Sequence, residues 1–425
     1  MDLAPPRGTA DFLPPASERL RGLYEAVHRV AARYGYRYVE TPTFEATELF
    51  ARSSGETSDV VSKEMYTFED RGRRSVTLRP EGTAPVVRAY LANEHALPVP
   101  FKGYYVETLF RYGRPQRGRL REYRSFGIEV IGADVPEADV ETILLGVGYL
   151  REVGVTRYEL QLNSVGDPAC RPAYREELLA HLEANRERLV DEHRDRFREN
   201  PLRVLDCKDG ACRAVADGAP RLVERLCGPC AEHFAAVRGG LEREGIEFRL
   251  VPTLVRGLDY YTRTAYEFIG SELSESQGTI IGGGRYDGLA TVLGAASPVP
   301  AVGFGMGIER VLLALEAEGA KAPTAGGVDC SVVFMGDSAR PYAREVAAAL
   351  REAGLAVDMA LWVRPLKAQL HAADRIGARY AAIVGEREAE ARTVSVKRLS
   401  DGRQAEVALD EAAARLAAGE EIVDG

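Results

Sequence analysis

Apolar positions Leu20, Leu23, Val27, Val30, Ala31 and Tyr34 recur at helical spacing, and Gly35 supplies a stop signal behind them. Residues 36–41 then read as a strand that ends before Pro42. The same periodicity predicts helices over 84–94, 138–153 and 308–318. Alternating or short apolar runs predict strands over 75–79, 102–110, 126–131, 158–163, 263–269, 277–281 and 301–305. Many of these strands lie in tandem without helices between them. That order favours an antiparallel sheet with packed helices (an α+β arrangement) over a doubly wound parallel sheet.

Residues 170–245 have a different character. They are rich in charged helical sequence, hold five of the six cysteines, and separate two sheet-forming blocks, so they read as an inserted helical subdomain. GAKAPTAGG at 319–327 has the small residues of an interdomain linker. Beyond it the pattern becomes strand, helix, strand, helix, strand at 330–335, 341–353, 356–361, 366–376 and 381–384, a small α/β domain. A length of 425 residues accommodates two or three domains, and 45% hydrophobic with 28% charged residues is the composition of a soluble globular protein. The first residues, MDLAPPRGTADFLPP, lack the apolar run of a signal peptide, and no stretch is long and apolar enough to span a bilayer. The expected location is cytoplasmic, with no membrane partner.

A net charge of −9 excludes a surface that is basic all over, but not a local basic patch. The run RYGRPQRGRLREYR carries arginines at 111, 114, 117, 119, 121 and 124, with Gly113 and Gly118 giving the loop freedom. A solvated charged hairpin is the plain interpretation; so dense a cluster of guanidiniums favours a phosphate-rich ligand. In LVRGLDYYTRTAYEF, residues 254–268, an arginine, an aspartate and two adjacent tyrosines precede the alternating Thr264, Tyr266 and Phe268. Polar aromatics beside a fixed cation and a carboxylate suit a pocket for a small polar ring, whereas strand core behind an exposed loop is the ordinary alternative. GFGMGIER at 303–310 alternates glycines, which let a ligand approach a strand closely, and ends on Arg310 in the first turn of a helix. Arginines delivered from separate elements can clamp a polyphosphate.

Together these segments resemble the histidyl-tRNA synthetases, a family of class II aminoacyl-tRNA synthetases. The likeness runs from RGTADFLP at 7–14 through the C-terminal domain. It includes YVETPTFE at 38–45, LRPEGT at 78–83, FRYGRPQRGR from Phe110, GGGRYDGL at 282–289 and GFGMGIER, with LVRGLDYYTRTAYEF as the most specific match. The resemblance implies a catalytic domain over 1–320 containing the 170–245 insertion, the 319–327 linker, and an anticodon-binding domain over 328–425. It implies that histidine and ATP form histidyl-adenylate and pyrophosphate, and that the histidyl group passes to the 3′ end of tRNA(His). Glu81 and Thr83 would then bind the amino end of L-histidine, and Glu129 and Tyr261 would face its imidazole, with Tyr260 in support. Arg111 would grip the α-phosphate of ATP and Arg310 the γ-phosphate, with Arg119 and Tyr123 completing the ATP site. Arg256 would oppose Arg111 across the α-phosphate. Arg114 and Gln116 become candidates for the tRNA acceptor end, Mg2+ accompanies ATP, and the segment around Pro42 implies a homodimer.

Two positions depart from the family pattern. Gly113 replaces the usual acidic residue, which bears on the adenine contact, and Ser125 replaces the usual glutamine of the histidine pocket. They leave room for a second reading, the non-catalytic regulatory subunit of ATP phosphoribosyltransferase, against which stand Arg111, Arg256, Arg310 and the C-terminal domain. The cysteines Cys207, Cys212, Cys227 and Cys230 approximate a four-thiolate zinc pattern. The resemblance requires no metal there, and buried small thiols are the favoured interpretation. The histidines at 95, 181, 193, 233 and 371 show no ligand-like spacing, and His28 lies within the first helix. Gly282–Gly284, beside Arg285 and Tyr286, is read as a wall of the amino-acid pocket.

Overall fold

The computed structural model describes residues 3–55, 60–205, 207, 209–255, 260–274, 277–420 and 422. The chain divides into two compact units, Met1–Pro323 and Thr324–Gly425. The first is built from strands β1 (Arg37–Tyr38), β2 (Phe44–Ala46), β3 (Tyr66–Glu69), β4 (Ser75–Leu78), β5 (Phe101–Phe110), β6 (Glu122–Ile131), β7 (Tyr158–Ser164), β8 (Arg249–Leu250), β9 (Thr262–Gly270), β10 (Thr279–Arg285) and β11 (Ala301–Gly307). Eight of them form one sheet in the order β1-β5-β6-β11-β10-β9-β7-β8. The six central strands pair antiparallel, and β1 and β8 each add a parallel edge. Strands β2, β4 and β3 make a small separate sheet.

Period-two alternation gives the large sheet two unlike faces. On one, Phe126, Ile128 and Val130 of β6, Val302, Phe304 and Met306 of β11, and Tyr266 and Phe268 of β9 are buried. They pack with the apolar stripes of helices Ala16–Arg33 and Pro136–Val153, including Leu23, Val27, Val30, Ile143 and Leu150, in the main core. The other face is made largely of glycine: Gly305 is paired with Gly127 of β6 and Gly282 of β10, and Gly303 with Glu129 and Gly284. Removing side chains from that face leaves room above the sheet. One face is therefore the core and the other is the floor of a site.

Arg285, beside the glycines read as pocket wall, itself belongs to the core face. It is fully buried, and its guanidinium bonds Asp139 through Nε at 3.2 Å and through Nη2, with the carbonyls of Ala133 and Val135 at 2.9 and 3.0 Å. It fastens β10 to helix Pro136–Val153; deleting one partner of such a pair costs about 3–5 kcal/mol, because a charge is left buried alone. His28, in the first helix, is also structural, its Nδ1 lying 2.9 Å from the Tyr104 hydroxyl.

The strand expected over 277–281 continues through three glycines to Arg285. Glycine weakens an isolated strand, but here ladders to β9 and β11 on both sides hold it. The strand expected over 36–41 shrinks to two residues, because it pairs on one side only, with β5. The insertion contains helices Arg171–Ala184, Asp191–Arg194, Leu202–Leu205, Gly210–Asp217 and Gly228–Arg243 around its own apolar cluster of Tyr174, Leu178, Leu182, Phe197 and Val204.

In the second unit, β12 (Cys330–Phe334), β13 (Val357–Met359) and β14 (Tyr380–Val384) are parallel, as a strand–helix alternation demands. Two further antiparallel strands, β15 (Thr393–Arg398) and β16 (Gln404–Ala408), extend the sheet to the order β13-β12-β14-β15-β16. Helices Arg340–Glu352 and Leu409–Ala417 contribute Val346, Leu350 and Leu416 to its core. No helix among the described residues is long and apolar enough to cross a membrane.

Candidate active site

Glu129 lies at the centre of the glycine face, on β6 and opposite Gly303. Its side chain is fully buried, and a Cβ on Gly303 would collide with its carboxyl group. Hydroxyls surround it. Thr83 Oγ1 donates to Oε1 at 2.8 Å, the Tyr105 hydroxyl lies 3.5 Å from the same oxygen, and the Tyr286 hydroxyl donates to Oε2. Tyr105 is able to stand there because its ring occupies the space that Cβ atoms on Gly82 and Gly127 would fill.

Glu81 stands beside this group, at the start of helix Thr83–Asn93. Its carboxylate accepts the backbone N–H of Thr83 at 2.6 Å and of Ala84 at 3.0 Å, capping the positive end of the helix. Burial nonetheless raises its pKa, against those two hydrogen bonds. Tyr260 and Tyr261 pack together with ring centroids 4.8 Å apart, and Tyr286 lies 5.6 Å from Tyr260. Burial pushes the Tyr260 and Tyr286 phenols well above their ordinary range, so both stay neutral donors. Glu81, Thr83, Glu129, Tyr260 and Tyr261 thus converge. Tyr105 joins them without having been singled out in the sequence; its signal was alternation, two residues from Gly103 on the same strand face.

Arginines gather next to these carboxyl groups. Arg111 Nε donates to the Pro80 carbonyl at 2.7 Å, and the Tyr123 hydroxyl donates to the same oxygen at 3.0 Å. Burial opposes the Arg111 charge, but Tyr123, Glu64 and Glu81 outweigh it and hold the guanidinium firmly protonated. Arg310 Nη1 donates to the Thr279 carbonyl at 2.7 Å, and burial followed by the like charge of Arg119 and then Arg111 lowers its pKa. Cations assembled against their own repulsion make a place for an anion. Arg119 is tied to Glu64 at 2.8 Å. A Cβ on Gly113 would come within 3.3 Å of the Glu64 carboxylate, so Glu64 supplies an acidic group beside the position where Gly113 lacks one. Ser125 is buried on the same sheet face, 3.8 Å from where a Cβ on Gly305 would stand.

The remaining expectations fall in several places. Arg114 and Gln116 are exposed on the β5–β6 hairpin, whose tip is closed by paired backbone bonds between Gln116 and Arg119. Arg256 lies outside the described residues. The cysteine quartet does not form one cluster: Cys227 and Cys230 meet Asp167 and Cys170, whereas Cys207 and Cys212 meet His193. Sequence spacing paired them wrongly because the ligand-like partners of each pair lie in other segments of the insertion, and His193 is one of them.

Burial raises the Glu129 pKa to about 8, against the hydrogen bonds from Tyr286 and Thr83. The folded protein therefore keeps a proton that the unfolded chain releases near the ordinary carboxyl value of 4.5. The stability gained from this group is complete below that value and is lost as pH rises toward about 8. Urea unfolding of the parent and of Glu129→Gln, followed from about pH 5 to about pH 9, should show the variant gaining relative stability with rising pH. A difference independent of pH would contradict the assignment.

The histidyl-tRNA synthetase family model matches residues 8–311, and an anticodon binding domain model matches residues 329–418. The chain is 50% identical over 407 residues to the histidine–tRNA ligase of Moorella thermoacetica, which covers 95% of each chain. It is 44% identical over 410 residues to that of Halothermothrix orenii, covering 96% of this chain and 97% of the other. The crystal structure of apo S. aureus histidyl-tRNA synthetase matches with a TM-score of 0.80 at 35% identity, over 98% of this chain and 100% of that one. With catalytic and anticodon-binding matches in the same order along nearly the whole length, the chain belongs to the histidyl-tRNA synthetase family.

Proposed function

We propose that the protein activates L-histidine with ATP and transfers the histidyl group to the 3′ end of tRNA(His), with the residues around Glu129 reading the amino acid. Its activity is that of a histidine–tRNA ligase, the function carried by relatives similar to it over nearly their full length. The observation that supports the site assignment most is the buried Glu129 within reach of Thr83, Tyr105 and Tyr286, and beside Glu81, whose charge in turn meets Arg111. Imidazole has one donor and one acceptor nitrogen, so a carboxyl group and a phenol can pair with it where apolar side chains cannot. A competitor without those nitrogens would leave buried polar atoms unpaired, which is a strong basis for rejection. Glu129 with Tyr261 is assigned to the ring, Tyr260 to its support, and Glu81 and Thr83 to the amino end.

No enzyme nucleophile takes part. The histidine carboxylate attacks the α-phosphorus of ATP, and pyrophosphate leaves. Arg111 and Arg256 are assigned to the α-phosphate, Arg310 to the γ-phosphate, and Arg119 and Tyr123 to the rest of the nucleotide. Their contribution is alignment and neutralisation of developing charge. Magnesium enters with ATP as part of the substrate. Arg114 and Gln116, exposed on the hairpin, are assigned to the tRNA acceptor end, a contact that salt should weaken. We read residues 1–320 as the catalytic domain, 319–327 as linker and 328–425 as the anticodon-binding domain, working in the cytoplasm where charged tRNA is used. The regulatory-subunit reading rests on Gly113 and Ser125, and the anticodon-binding match over 329–418 speaks against it.

A homodimer is supported by exposed aromatics near Pro42. Tyr38, Phe44 and Phe68 are 49%, 53% and 47% accessible, and the Phe44 and Phe68 rings, from the two strands that flank β4, lie 6.4 Å apart. Sedimentation at micromolar concentration should give the dimer mass; a sharp monomer would exclude it. For the chemistry, pure protein should catalyse histidine-dependent exchange between ATP and pyrophosphate. Arg111→Ala and Arg256→Ala should each lower the rate about 100- to 1000-fold without changing the unfolding midpoint. Folded protein that gives no exchange, or variants that keep the parent rate, would overturn the reading.

A further inference from the structure

Four potential ligands meet where the helical insertion leaves and rejoins the catalytic sheet. Asp167 and Cys170 lie just after β7, and Cys227 and Cys230 lie at the start of helix Gly228–Arg243, which leads back toward β8. One ligand atom from each lies within 4.8 Å of the other three. Both Asp167 oxygens are 3.9 Å from Cys227 Sγ. A tetrahedral zinc–thiolate centre with bonds of about 2.3 Å has ligand atoms about 3.8 Å apart, so the cluster has nearly the required size. We propose that Asp167, Cys170, Cys227 and Cys230 bind a thiophilic divalent cation, with zinc the best fit, which clasps the two ends of the insertion.

The local backbone is arranged as such a centre needs. Asp167-x2-Cys170 and Cys227-x2-Cys230 are two short ligand pairs of the spacing that lets one turn present both side chains to a single ion. Gly166 has φ +59°, and a Cβ there would lie 2.9 Å from the Cys170 Cβ, so this turn can close only on glycine. The Cys227 N–H donates to Cys170 Sγ at 3.2 Å, the kind of backbone bond that orients and stabilises a thiolate ligand. Cys170 and Cys227 are also the N-caps of helices of 14 and 16 residues, so both are held at fixed element starts.

Asp167 has a structural task as well, its Oδ1 accepting the N–H of Ala169 at 2.9 Å and of Cys170 at 3.1 Å. Those bonds fix the carboxylate in the turn and leave Oδ2 directed at Cys227 Sγ. Three cysteines and a carboxylate converging from both ends of a segment of some short helices exceed what ordinary thiol packing requires. A cation at this point joins residues 57 positions apart and ties down a subdomain whose own apolar cluster is small. The clasp also borders the histidine pocket: Arg171, next to Cys170, donates through Nη2 to the carbonyl of Tyr261. The group His193, Cys207 and Cys212 offers three ligands and is not included in the proposal.

The test is metal content. Protein made in zinc-supplemented medium and purified with reductant but without chelator is analysed by plasma mass spectrometry. Cys170→Ser and Cys227→Ser should each carry one equivalent of zinc fewer than the parent, whereas Cys330→Ser, in the core of the second unit, should match it. If the serine variants fail to fold, cobalt titration of metal-stripped parent replaces them. It should show thiolate-to-cobalt charge transfer with the visible bands of tetrahedral Co(II). Parent protein free of zinc, zinc content unchanged in both folded variants, octahedral cobalt spectra, or a disulfide among these cysteines in fresh reduced protein would each overturn the proposal.

Discussion

Glu129 is a carboxyl group buried, among the described residues, with no cation at hydrogen-bond distance, and much of the catalytic unit is arranged around that fact. Burying an ionised carboxylate is expensive, so the group responds by holding its proton and by taking hydroxyl partners. Those partners come from distant parts of the chain: Thr83 from a helix start, Tyr105 from the adjoining strand and Tyr286 from just beyond β10. Gly303 has to lack a side chain for the carboxyl group to lie flat on β11, and Gly82 and Gly127 have to lack one for Tyr105 to reach it. A pocket assembled under these constraints has a fixed pattern of donors and acceptors before a ligand arrives, which is the physical basis of selectivity for a small polar ring.

The second constraint is of opposite sign. Burial, and after it the like charges of Arg119 and Arg111, depress the Arg310 pKa, a cost set against holding these cations together. A polyphosphate relieves it. The two halves meet at Glu81 and Arg111, whose charges favour each other while one caps the helix of the amino-acid side and the other leans on Tyr123. A neutral, hydroxyl-lined pocket and a cationic one thereby share a boundary at these two side chains.

Much of this was legible from sequence, though unevenly. Long helices with complete apolar stripes, such as Ala16–Arg33 and Pro136–Val153, were readable because burial of one face dominates their stability. Strand β10 was cut short at Gly282, because its glycines are held by neighbours on either side rather than by local preference. Strands β15 and β16 were missed for a related reason: their pairing is set within the second unit, not by a strong local pattern. The glutamate, threonine and tyrosines of the pocket came from family likeness, whereas the role of Tyr105 and the supply of Glu64 beside Gly113 required the third dimension. Arg285 could have been placed by alternation alone, since its neighbours Gly284 and Tyr286 face the site and it therefore faces the core. The cysteines misled because spacing suggests pairs but cannot say which pairs meet, and because Asp167 does not look like a thiolate partner.

The account rests on Glu129 as the group that reads the imidazole ring, and calorimetric titration of histidine into the parent and into folded Glu129→Gln tests it most directly. A buried hydrogen-bond partner left unsatisfied costs about 1–3 kcal/mol, so the variant should bind histidine roughly 5- to 150-fold more weakly. Equal affinity in the two proteins would contradict it.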